Sequence, residues 1–164
     1  MYLRFGREPI PIITTEATPF ELGKGDVYRE GSDVTIIATG PMVKAALDAA
    51  EELAAEEGLD ARVINIHTIK PIDADLIEAA ARETGAIVTA EEHQVMAGFG
   101  SAVAEVVVQR CPVPMRFVGI QDRFGESGQP HELMDVFGLL PRDIKAAVRE
   151  VLAAKDRGRA VAAT

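Results

Sequence analysis

The residues from Thr89 to Glu105 read TAEEHQVMAGFGSAVAE. Two carboxylates, Glu91 and Glu92, stand beside His93. Glu91 and His93 are two apart, so on an extended segment they face the same way. A carboxylate in that position can orient a histidine base. The same pair can equally hydrogen-bond loop backbone or a neighbouring chain. Gly98-Phe99-Gly100-Ser101 opens an apolar periodic run, so its N–H groups could take an anion at a helix N-terminus. The dinucleotide fingerprint would need a further glycine at 103, where Val103 stands. It also belongs after the first strand of its unit, and this turn follows the third parallel strand. Close packing of a helix on a strand explains the same glycines.

Other polar groups gather in short stretches. His67 and Lys70 lie in HTIKP, and Asp122 and Arg123 open DRFGESG. Arg4 and Arg7 flank Gly6, and two cations so spaced can grip a phosphate or simply stay solvated. The histidines, at 67, 93 and 131, form no i, i+4 pair and join no cysteine cluster, so their spacing does not point to a metal site. Ser127 in GESG does not fit the G-x-S-x-G elbow of serine hydrolases, because Gly128 comes one position early.

These groups need elements to position them. Val27–Arg29 and DVTIIAT are β-prone and separated by Gly31-Ser32, which predicts a hairpin with the first strand at an edge. Gly40-Pro41 starts a helix with Val43, Leu47, Ala50 and Ala54 on one face, flanked by Ala46 and Leu53, and Gly58 ends it. ARVINI is a strand. Asp73 caps a helix that stops near Gly85. AIVTA is a short buried strand, a helix runs from about Gly100 to Arg110, and MRFVGI is the last strand. Pro130 and Pro141 open two further helices separated by Gly138, and residues 155–164 read as a frayed or disordered tail.

Strands rich in Val and Ile alternate with helices, the pattern of a parallel sheet covered on both faces. The expected fold is a three-layer α/β/α sandwich with a mostly parallel sheet of about five strands and one antiparallel edge strand. Ligands of such sheets gather at the carboxyl ends of the strands. His67, Lys70, Glu91, His93, Asp122 and Arg123 all fall there, as a shared polar rim.

The 164 residues carry 17 basic and 26 acidic groups, a formal charge of -9. That balance argues against nucleic acid and against adsorption to an anionic membrane. No apolar run approaches the roughly 20 residues of a membrane span, and no leader-like segment opens the chain. One cysteine, Cys111, cannot form an internal disulfide, and a reducing cytoplasm is the expected compartment.

The strings INIHTIKPID (64–73), TAEEHQVMAGFGSAVAE (89–105) and VGIQDRFGESGQPHELMDVFGL (118–139) resemble the C-terminal domain of transketolases. The opening YLRFGREPIPII resembles the last strand and exit linker of the preceding pyrimidine-binding domain. Residues 1–25 would then be that end and linker, with the C-terminal domain over 26–154. The E-E-H and D-R-F-G-E-S-G strings favour transketolase over deoxyxylulose-phosphate synthases and the beta subunits of 2-oxoacid dehydrogenases. The resemblance implies thiamine diphosphate and Mg2+ in the whole enzyme, which transfers a two-carbon ketol unit between sugar phosphates. It implies no cofactor on this piece, since the family's G-D-G…N-N motif is absent and Asn65 is the one asparagine. Alone, the piece is expected to be inactive. Its implied partners are the domains or subunit that carry the cofactor site, and a second copy in a homodimer. Arg7, with Arg4 as the competing choice, matches an arginine that contacts substrate phosphate. The polar loops around His67, Lys70, Glu91, His93, Gly98, Gly100, Ser101, Asp122 and Arg123 become an interface or an anion loop. A stand-alone regulatory or interaction module with the same fold is the alternative.

Overall fold

The computed structural model describes residues 2–6 and 9–162. Five strands form one sheet in the order β1-β3-β2-β4-β5. They are β1 (Asp26–Arg29), β2 (Val34–Ala38), β3 (Ala61–Asn65), β4 (Ile87–Gln94) and β5 (Met115–Ile120). All neighbouring pairs are parallel except β1 with β3.

The expected three-layer α/β/α architecture is present, and β2 shows why. Val34, Ile36 and Ala38 face one side, packed with α1 (Met42–Glu57) and α5 (Pro141–Ala162). Ile37 faces the other, packed with α2 (Ala74–Thr84) and α3 (Phe99–Arg110). On that second side Thr35 stays buried because its hydroxyl meets Thr84 Oγ1 at 2.9 Å. Both faces of β2 are therefore removed from water, which suits a central parallel strand. A short α4 (Pro130–Val136) precedes α5.

Helix ends follow local chemistry. Asp73 accepts the Leu76 N–H and caps α2. Gly58 and Gly85 close α1 and α2 in the left-handed region, at φ +68° and +67°. Asp143 accepts the Leu140 N–H at 2.9 Å, so α5 is capped from inside its first turn.

Four expectations need correction. β1 and β2 are not a hairpin: β2 already pairs with β3 and β4 along both edges, so β1 passes over and joins β3. Gly31 makes that passage against the Ala61–Arg62 backbone, where a Cβ would come within 2.4 Å. The buried face of α1 is Met42, Val43, Ala46, Ala49, Ala50 and Leu53, and Ala54 is exposed. β4 extends to Gln94, so Glu91, Glu92 and His93 end a strand rather than lie in a loop. Residues 155–162 are helical, not frayed. They continue α5 across Gly158, and Lys155 Nζ donates to the carbonyls of Asp33 (2.9 Å) and Thr84 (2.6 Å).

Residues 9–25 contain turns but no strand or helix, and residues 2–6 are likewise irregular. This connector carries Tyr2, Leu3, Phe5, Ile10, Ile12, Phe20 and Leu22, all exposed. No helix among the described residues is long and apolar enough to cross a membrane.

Candidate functional site

The sheet reverses its winding between β2 and β4, and in open α/β sheets that switch point is the usual ligand crevice. Here the crevice is built from Gly40, Glu91, Glu92 and His93. Gly40 sits at φ +58°, and a Cβ on it would lie 3.2 Å from Glu92 Oε2. That approach places the Glu92 carboxylate across the mouth of the crevice.

Glu91 faces the opposite way, into the protein, and is fully buried. Its Oε2 accepts the Phe99 N–H at 2.6 Å, and its Oε1 accepts the Gly100 N–H at 2.8 Å. Gly98, the residue before α3, offers no side chain to cap the helix. Glu91 caps it instead, from a neighbouring strand. Burial pushes the Glu91 carboxyl above its ordinary value, while the Gly100 and Phe99 N–H groups and His93 pull it down. His93 Nδ1 lies 3.5 Å from Glu91 Oε2, and His93 Nε2 lies 3.8 Å from Glu92 Oε1. Arg4 of the connector completes the set, with Nη1 2.6 Å from Glu92 Oε1.

The glycines are explained by contact. A Cβ at Gly98 would lie 2.2 Å from the Gln94 carbonyl oxygen and 2.5 Å from Glu91 Oε2. At Gly100 it would meet Phe117 Cδ1 at 2.5 Å and Thr89 Oγ1 at 2.6 Å. Only glycine lets α3 settle on β4 and β5 closely enough for Glu91 to reach the helix end. The anion loop expected at Gly98–Ser101 is therefore filled by the chain's own carboxylate. Ser101 Oγ donates to the Val95 carbonyl at 3.1 Å.

The remaining candidates lie along the same carboxyl rim in separate groups. His67 follows β3, on the far side of β2 from His93. Two strand spacings, about 10 Å, separate their strands. His67 stacks on Phe20 with ring centroids 4.6 Å apart. Its Nδ1 is 2.9 Å from Thr68 Oγ1 and its Nε2 is 3.6 Å from Asp26 Oδ2. Asp26 and Asn65 line the same cleft with Thr14, Thr15 and Tyr28, so the connector closes over this end of β3. Lys70 is exposed, with no ion pair or hydrogen bond among the described residues. Asp122, at φ +48°, donates its N–H to Gln94 Oε1 at 3.0 Å. Arg123 turns away from His93. It covers the Phe137 ring at 4.8 Å, donates to the Val136 carbonyl at 3.1 Å and pairs with Glu126. Arg7 lies outside the described residues.

The arrangement is a chain of contacts, Arg4–Glu92–His93–Glu91, that ends at the N-terminus of α3. Each member is held by its neighbours. Chemically it orients and neutralises, and it fastens the connector to the carboxyl rim. Sequence reading missed Glu92 as the group that holds Arg4 and Glu91 as a helix cap. The signal was the absence of any side chain able to cap at Gly98.

The comparisons with known proteins agree with the fold. Residues 23–144 match the family model for the transketolase C-terminal domain. Over 156 residues the chain is 48% identical to a 6-deoxy-6-sulfo-D-fructose transketolase subunit of Clostridium sp. (strain MSTE9), covering 95% of this chain and 48% of that protein. It is 43% identical over 146 residues to a 1-deoxy-D-xylulose-5-phosphate synthase of Heliobacterium modesticaldum, covering 88% of this chain and 22% of that one. A solved structure described as a split gene transketolase, inactive β4 tetramer, superposes with a TM-score of 0.88 at 49% identity. The match covers 92% of this chain and 49% of that one. The chain thus spans half or less of the length of these relatives. With the family model matched over most of its length and the fold superposed on a solved relative, the chain belongs to the transketolase C-terminal domain family.

Proposed function

We propose that this chain is the C-terminal domain of a thiamine-diphosphate-dependent transketolase, which moves a two-carbon ketol unit between sugar phosphates. Its part is to pack against the cofactor-carrying domains and to self-associate. The observation that carries this reading is the near full-length match, at 49% identity, to half of a split-gene transketolase chain. That structure's description as an inactive β4 tetramer supports both self-association and inactivity of the piece alone. The exposed apolar connector supports a covering partner.

The residues of this chain do not fit thiamine diphosphate and its metal. The Phe99 and Gly100 N–H groups at the α3 N-terminus already bind Glu91. The described residues hold no cluster of three or more His, Cys, Asp or Glu able to take a metal. No step of ketol transfer is assigned to a side chain here. In this reading Arg7, or Arg4 after leaving Glu92, supplies a cation to the substrate phosphate. The compartment is a reducing one, on the single Cys111.

The test is calorimetric titration of the chain alone with thiamine diphosphate and magnesium. Ketol-transfer assays on the chain alone and on the assembled enzyme accompany it. The expected result is neither heat nor transfer from the chain alone, and transfer from the assembly. Stoichiometric cofactor binding by the chain alone, or an assembly without transfer, overturns the reading.

A further inference from the structure

Where the connector crosses the carboxyl end of β3 it leaves a cleft of about 350 Å³, in the size range of small-molecule pockets. One wall is the sheet. Asp26 on β1 and Asn65 on β3 are direct cross-strand partners, and Tyr28 stands two residues beyond Asp26. The other wall is the connector, which is fastened at this point. Ile13 packs on the core, the Thr15 N–H donates to Thr18 Oγ1 at 2.9 Å, and Phe20 stacks on His67. Both walls thus belong to this chain, and the cleft is the space left between them.

Its polar groups are unspent. Among the described residues, the Asp26 carboxylate, the Asn65 amide and the hydroxyls of Tyr28 and Thr14 have no hydrogen-bond partner. The Asp26 side chain is 16% exposed, and its one ionisable neighbour, His67 Nε2, lies 3.6 Å away, too far for a hydrogen bond. Holding such groups away from bulk water without partners costs stability. A small number of convergent polar groups in a partly enclosed space is the form of a ligand site.

The lining selects the ligand. No lysine or arginine faces the cleft, so a phosphate or carboxylate would find nothing to neutralise it. An ammonium would use only the acceptors, whereas the Asn65 amide and the Tyr28 and Thr14 hydroxyls each both donate and accept. A hydroxyl-rich ligand uses both capacities, giving a proton to Asp26 and taking hydrogen bonds from its neighbours. Phe20, 73% exposed with one face against His67, adds apolar surface for the C–H groups of such a ligand. We propose that this cleft binds a neutral polyol of monosaccharide size. The inference goes beyond the proposed function and does not depend on it.

Proton–nitrogen NMR of the full 164-residue chain tests it, by titration with D-glucose, myo-inositol, D-glucose 6-phosphate and ethanolamine. Asp26→Asn and Tyr28→Phe serve as variants, since each alters one polar group and keeps the shape of the wall. The expected result is saturable shifts at the Asn65 side-chain amide and around Tyr28 with a neutral polyol. The phosphate ester and the amine should bind at least about tenfold more weakly, and each variant should weaken polyol binding at least about fivefold. No saturable shift with either polyol overturns the site, as do shifts left unaltered by either variant. Glucose 6-phosphate or ethanolamine bound as tightly as the polyols overturns the ligand class.

Discussion

The Glu91 carboxylate on β4 accepts the N–H groups of Phe99 and Gly100 in the first turn of α3, at 2.6 and 2.8 Å. A strand thus caps the helix that follows it. Both donors are buried with the carboxylate, so nothing replaces it when it is removed. Glu91→Ala is expected to destabilise the fold by about 3 kcal/mol, since each unpaired buried donor costs roughly 1–3 kcal/mol. Urea denaturation monitored by circular dichroism measures it. A loss under about 1 kcal/mol would show that water enters and takes over the donors.

The same residue sets a pH slope. Burial raises its folded carboxyl above the ordinary 4.5. The native state therefore keeps this proton at pH values where the unfolded chain has released it. That contribution to stability is complete below pH 4.5 and is lost as the pH rises through the raised native value. The stability of the native chain minus that of Glu91→Gln should fall as the pH is raised above 4.5, then level off. Glu57 and Asp75, lowered by Arg149 and Arg110, slope the other way but are common to both proteins and cancel. A difference that rises with pH in denaturation series would mean that the two N–H groups outweigh burial.

Gly100→Ala sets helix propensity against packing. Alanine gains about 1 kcal/mol inside a helix. Its Cβ would lie 2.5 Å from Phe117 and 2.6 Å from Thr89, and such overpacking costs roughly 1–3 kcal/mol. A net loss of about 1 kcal/mol is expected in thermal denaturation. Gly125→Ala, in open space, serves as the comparison and should change stability by less than about 0.5 kcal/mol.

Arg4→Ala releases the connector from Glu92. Both partners are partly exposed, so global stability should change by less than about 1 kcal/mol. Amide exchange at residues 2–6 should quicken, while exchange in the central strand β2 stays slow. Unchanged exchange at residues 2–6 would show that the apolar side chains, not Arg4, hold the segment.

Much of the fold was legible because its punctuation is local. Asp73, Gly58 and Gly85 act within a turn of where they stand, so sequence alone places their helix ends. β1 was misjudged because Gly31-Ser32 signals a reversal without saying which strand is adjacent. That depends on β2 having both edges taken by β3 and β4. The tail was misjudged because its anchor is distant: Lys155 bonds to carbonyls at residues 33 and 84. At the candidate site, the extended geometry of Glu91 and His93 brings the two within 3.5 Å of each other. What spacing could not reveal is that Gly98 and Gly100 serve an internal carboxylate rather than a ligand. Both uses require the same glycines.

The antiparallel direction of β1 has a consequence for how the molecule is tethered. Asp26 pairs with Asn65, at the carboxyl end of β3, and Arg29 pairs with Val63 further down. The connector therefore meets the sheet at its polar rim. A parallel first strand would deliver the connector to the opposite end, a full strand length away. Four residues thus choose which pole of the domain the preceding chain approaches. Any body attached through that leash is presented to the rim that carries Glu92 and His93.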